Sequence, residues 1–136
     1  MKIVRMSVLA LCITGAILSG TALAHHSFAA EFDRHKPVTL KGTVTKIEWE
    51  NPHTRLYMGV PDKLGIVSNW ELELASPNSL LRAGWTRHSV NIGDKVTVNG
   101  FRAKDGSSLA NASTMFAADG RRILSEQSSA DAPAAK

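Results

Sequence analysis

His25 and His26 follow directly on Ala22-Leu23-Ala24, and that junction carries most of the chemistry this sequence offers. Small residues at Ala22 and Ala24, an apolar stretch over 8–18 and the positive Lys2 and Arg5 before it make the pattern that signal peptidase cuts. Cleavage after Ala24 would leave His25 as the first residue, with a free α-amine beside its own imidazole. Two nitrogen donors on one residue form a chelate, and nitrogen-rich planar sites suit Cu(II). Such a site needs a further histidine. His53 is the best placed, because the Asn51-Pro52 turn before it would aim it reproducibly, and His26 could take its place. Met58 and Met115 could serve as soft ligands for Cu(I), and Glu50 as a carboxylate ligand. Plainer readings stand beside these: terminal histidines are often solvated, His53 could serve only to fix a hairpin, and Met58 falls in a core phase.

The same cut decides compartment and charge. Residues 1–24 are expected to be a signal peptide and the product to be periplasmic or secreted. Its apolar stretch is about a dozen residues, short of the about twenty a spanning helix needs, so no membrane insertion is expected after cleavage. The whole chain of 136 residues carries 16 Lys and Arg against 12 Asp and Glu, a net +4. Without Lys2 and Arg5 the balance is about +2, and the basic residues are scattered among acids, so nucleic acid is not an expected partner. The single cysteine, Cys12, lies inside the expected signal. The remainder can form no disulfide, thiolate metal site or thiol nucleophile.

Constellations for catalysis are thin. No Gly-Xaa-Ser-Xaa-Gly elbow or phosphate-cradling glycine loop occurs, and Glu71 and Glu73 read as the solvated stripe of an alternating strand rather than a catalytic pair. No enzyme is expected. A different use of the surface is possible through Trp49, Tyr57 and Arg55, an aromatic and polar set able to grip an oligosaccharide, a peptide or an envelope protein.

These residues need a frame. After an arm over 25–37 carrying Phe28 and Phe32, Val38, Leu40, Gly42 and Val44 share one face of a strand, and Ile47 and Trp49 continue in the opposite phase. The slip near Thr45-Lys46 predicts a β-bulge, and Gly42 supports a bend there. A second strand spans 54–60 with Leu56, Met58 and Val60 inward, and a third carries Trp70, Leu72 and Leu74. Ser76-Pro77 predicts a helix start, Ser as N-cap and Pro at the first position, with Trp85 packing beyond the helix end. Gly93-Asp94 leads into a fourth strand with Val96 and Val98. Asp105-Gly106 turns into a fifth over 109–116, and a short sixth follows over 122–124. Residues 125–136, rich in Ser and Ala, read as a disordered tail.

Three strands, one short helix, then two or three more strands is the order of a small OB-fold-like barrel of five to six strands, mainly β, with a simple sandwich as the alternative. One domain over 25–124 is expected, since the length leaves no room for a second core. The set His25-His26-Ser27-Phe28, Gly42-Thr43-Val44, Trp49-Glu50-Asn51-Pro52-His53, Trp70-Glu71-Leu72-Glu73, the Leu80 to Trp85 stretch and Gly93-Asp94-Lys95-Val96 resembles an uncharacterised bacterial family of small secreted proteins, catalogued as a domain of unknown function. That resemblance implies fold and compartment and no activity. The terminal His25 also resembles the N-terminal histidine brace of copper monooxygenases and periplasmic copper carriers.

The residues thus support two functions. One is that of an exported protein that holds copper through His25 and His53 with His26 in support. The other is that of an OB-type binding module without metal, gripping an envelope component through Trp49, Tyr57 and Arg55.

Overall fold

The computed structural model describes residues 27–124. The expected signal, the His25-His26 pair and the expected tail over 125–136 lie outside these residues.

The element order is α1 (Phe28–Glu31), β1 (Phe32–Glu48), β2 (Arg55–Pro61), β3 (Val67–Glu73), α2 (Pro77–Arg82), β4 (Lys95–Ala103), β5 (Leu109–Ala117) and β6 (Arg122–Leu124). Neighbouring strands run β3-β2-β1-β4-β5-β6, all antiparallel, and a further pairing of β3 with β5, parallel over Glu71 to Glu73, closes the sheet on itself. A closed five-stranded ring in which the first strand touches both the second and the fourth is the OB-type barrel, with β6 appended to β5.

One long strand makes the closure possible. β1 pairs with β2 over its last third and with β4 over the rest, and Thr43 faces both Gly59 and Lys95. The register shifts between Val44 and Lys46, the bulge that the phase slip predicts. Extra twist at that point bends the strand from one side of the barrel to the other. Leu40, Val44, Leu56, Met58, Leu72, Val96, Val98 and Met115 point inward and form the buried core, with Ile47, Trp49 and Trp70 packed against it.

α2 begins as the sequence dictates: the Ser76 hydroxyl accepts from the Ser79 amide at 3.3 Å and Pro77 stands at the first position. Trp85 is buried just past the helix, and its indole N–H donates to the Ile123 carbonyl at 2.8 Å, pinning β6 to the barrel.

The arm differs from expectation. β1 starts at Phe32 rather than Val38, and residues 28–31 form a single helical turn. Phe28 and Phe32 are 6 % and 2 % exposed and pack with Ala103, Phe101 and Leu109 on the outer face of β4 and β5. The Phe28 ring meets Phe32 at 5.5 Å and Phe101 edge-on at 5.8 Å, a geometry aromatic pairs favour. Two phenylalanines thus fasten the start of the described chain to the barrel wall.

Candidate functional site

The outer face of β2 and β3 is where the candidate residues gather, because inward alternation of Leu56, Met58 and Leu72 leaves Arg55, Tyr57, Glu71 and Glu73 outward. Here they interlock. Arg55 and Glu71 form a cross-strand ion pair, Lys46 pairs with Glu48, and the Tyr57 hydroxyl donates to Glu48 at 2.9 Å. Bonds from Lys46 first and Tyr57 second hold the Glu48 carboxyl below its ordinary pKa, while partial burial and that same bond raise the Tyr57 phenol. Arg55 and Tyr57 are half-buried and committed to carboxylate partners.

Glu73 departs from the solvated stripe that alternation predicts. Its register places it between Arg55 on β2 and Asn111 on β5, and closure of the barrel there leaves it 8 % exposed. Asn111 donates to it at 3.3 Å. Burial raises its pKa above the ordinary carboxylate value; His53 pulls the other way, Glu31 of the docked arm pushes it up further, and Asn111 and Arg55 lower it. Glu73 is therefore electrostatically sensitive to both His53 and Glu31.

A carboxyl whose folded pKa lies above its unfolded one favours the folded state at low pH, and that contribution is lost as pH rises through the folded value. Glu73→Gln, which keeps the Asn111 contact without a buried charge, is expected to raise the melting temperature at pH 7 by a few degrees and to flatten its fall between pH 5 and 8. Melting curves across that range check this, and an unchanged pH profile would count against it.

His53 sits just before β2, where Thr54 and Leu74 continue the β2–β3 ladder: the Thr54 N–H donates to the Ala75 carbonyl at 3.1 Å and the Leu74 N–H to the Thr54 carbonyl at 2.9 Å. Its Nδ1 lies 3.1 Å from the Leu74 carbonyl oxygen. A carbonyl only accepts, so Nδ1 is the donor and in the neutral ring the lone pair resides on Nε2. The sequence offered no hint of this contact, since Leu74 is 21 positions away.

Trp49 goes elsewhere. It follows the last residue of β1 in the inward phase, packs against the core, and has the Arg87 guanidinium 5.9 Å from its ring centroid. It lines a groove of about 580 Å³ with Glu50, Asn51, Asn78, Arg87 and His88, at the end of the barrel rather than on the outer face of β2. The structure thus joins Arg55 to Tyr57 through the Glu48 and Glu71 network and separates both from Trp49. Met58 and Met115 are fully buried in the core, and His35 and His88 are exposed. Among the described residues no group of three or more His, Cys, Asp and Glu side chains converges as metal ligands. A metal site using His53 must draw further ligands from outside them.

Closure through β3 and β5 defines the class: an OB-type barrel with one capping helix and an N-terminal arm docked on its outer wall. The chain belongs to a family of unknown function, DUF6152, which matches residues 14–112. No curated protein matches it. Similar solved structures include the mitochondrial single-stranded DNA binding protein Rim1 of S. cerevisiae, with a TM-score of 0.48 and 9% identity over 61% of this chain and 93% of that one. TiaS in its complex with a transfer RNA and ATP is similar at a TM-score of 0.42 and 18% identity, over 62% of this chain and 18% of that one. No helix among the described residues is long and apolar enough to cross a membrane.

Proposed function

We propose that this is an exported protein that binds copper through the α-amine and ring of His25 together with His53, with His26 in support. The observation that carries the reading is the His53 ring held by its Nδ1 against the Leu74 carbonyl. Metal-bound histidines characteristically donate their second ring nitrogen to a backbone carbonyl or carboxylate, which fixes tautomer and orientation and raises ligand basicity. The docked arm supports it too. Phe28 is anchored on the barrel two residues after His26, so His25 is tethered within about 7 Å of chain from Ser27. Amine and imidazole donors without thiolate suit Cu(II) above other divalent first-row ions.

The test is Cu(II) titration of the protein as the cell processes it, its first residue confirmed as His25 by mass spectrometry, followed by electron paramagnetic resonance. One copper per chain with nitrogen hyperfine structure is expected, and His53→Ala is expected to weaken binding by more than the roughly 10–100-fold that loss of an outer-shell partner costs. Weak binding that His53→Ala leaves unchanged would overturn the reading. The groove beside Trp49 would then be the place to seek an uncharged or peptide ligand, since its amides and aromatic edge favour the binding-module alternative.

A further inference from the structure

The ribbon joining β2 to β3 leaves the barrel. β1 follows β2 only as far as Gly59, and β5 follows β3 only from Glu71, so from Val60 to Ser68 the two strands pair with each other alone. At the tip stand the largest exposed apolar side chains of this region, Leu64 at 85 %, Ile66 at 64 % and Val67 at 59 % exposed.

Three such residues side by side on a projecting tip are more than scattered surface hydrophobes. Much of the tip's backbone is also bonded from within. Asp62 Oδ1 accepts from the Leu64 amide at 2.8 Å and the Ile66 amide at 2.9 Å, the Asp62 N–H donates to the Ile66 carbonyl at 2.9 Å, and the Gly65 N–H donates to the Asp62 carbonyl at 3.0 Å. Gly65, at φ 82°, supplies the left-handed residue the turn requires. Unpaired amides are what make irregular backbone costly in an apolar medium, and this loop has tied up those of Leu64, Gly65 and Ile66. Asp62, its one acid, is spent on those amides. Lys63 lies at the tip, and Lys41 and Lys95 border the depression that begins at Pro61 behind it.

We propose that this hairpin docks on the surface of an anionic phospholipid bilayer, with Leu64, Ile66 and Val67 entering the interface and Lys63, Lys41 and Lys95 facing the headgroups. The choice of occupant rests on the pairing of an internally bonded apolar tip with lysines behind it, the arrangement by which peripheral proteins hold to charged membranes. The contact is superficial and spans nothing. It is independent of copper.

Vesicle co-sedimentation tests it, using the protein as the cell processes it and vesicles of phosphatidylcholine alone or mixed with phosphatidylglycerol. Binding to the anionic vesicles is expected to exceed that to neutral ones by at least about tenfold and to fall with added salt. Leu64→Ser with Ile66→Ser, both on exposed side chains whose loss leaves the core intact, is expected to remove the binding while the melting temperature holds. Lys63→Glu is expected to remove the preference for anionic lipid. Absence of binding to either vesicle, or binding indifferent to the double substitution, would overturn the proposal. So would self-association abolished by the double substitution without vesicle binding, which would make a second copy the occupant.

Discussion

Gly42→Val is expected to weaken the fold severely. A Cβ at Gly42 would stand 2.2 Å from the Gly59 carbonyl oxygen and 2.9 Å from the Met58 methyl. The oxygen belongs to backbone held in the β1–β2 ladder, so it cannot swing aside as a side-chain tip could. The position matters as much as the distance. Gly42 lies where β1 passes from β2 to β4, next to Thr43, which faces both strands. Pushing β1 off β2 there opens the barrel at its bend. Overpacking a core commonly costs about 1–3 kcal/mol, and a clash against fixed backbone belongs at or above the top of that range. A domain with about 5–15 kcal/mol in hand gives up a large share of its stability, and the melting temperature should fall by upward of about 12 °C. Gly65→Ala makes the control. Nothing lies within 4 Å of a Cβ there, so only the left-handed backbone is penalised, about 1–2 kcal/mol, and the hairpin tip absorbs it. Equal melting temperatures for the two variants would show that the close approach of β1 to β2 is not what the barrel depends on.

Acetylating the His25 α-amine alone is expected to abolish tight copper binding while the fold stays intact. Acetylation converts the His25 α-amine into an amide, which is a poor neutral donor, and leaves no free amine near the ring. Every other donor of the proposed site is untouched. The loss should therefore exceed the roughly 10–100-fold ascribed to an outer-shell partner and should match or surpass that of His53→Ala, with a changed paramagnetic spectrum for whatever copper remains. The acetylated chain is expected to melt as the parent does, because Phe28 and Phe32 anchor the arm to the barrel downstream of the modified residue. Copper binding indifferent to the acetylation would remove the amine from the site and leave an ordinary histidine cluster.

How much of the fold and the site is legible in the sequence depends on the range of each contact. The bulge beside Val44 can be read because a period-2 pattern that slips leaves its mark within a few residues. The α2 start at Ser76-Pro77 can be read for the same reason, since a cap acts over three positions. Phe32 as the first residue of β1 cannot, because its partner Ala103 lies far along the chain and Phe28 with Phe32 gives no alternation. Glu73 reads as solvated, against its burial in the structure, because Asn111, which packs against it, arrives from β5, and no local pattern records that. The same holds at the candidate site. His53 can be named from its turn, whereas the carbonyl that orients it belongs to Leu74 beside the neighbouring strand.

The pairing of β1 with two partners also sets a schedule for folding. β1, β2 and β3 form a meander from neighbouring sequence, and it can assemble as soon as the chain has been made through Glu73. The other edge of β1, from Phe32 to Thr43, has no partner until β4 exists, and β3 has none on its far side until β5 does. Between those moments the nascent sheet carries two open edges, the condition in which strands recruit other chains. Long-range pairings of this kind are slow to form. A newly made chain therefore keeps two adhesive edges until β4 and β5 arrive to cover them.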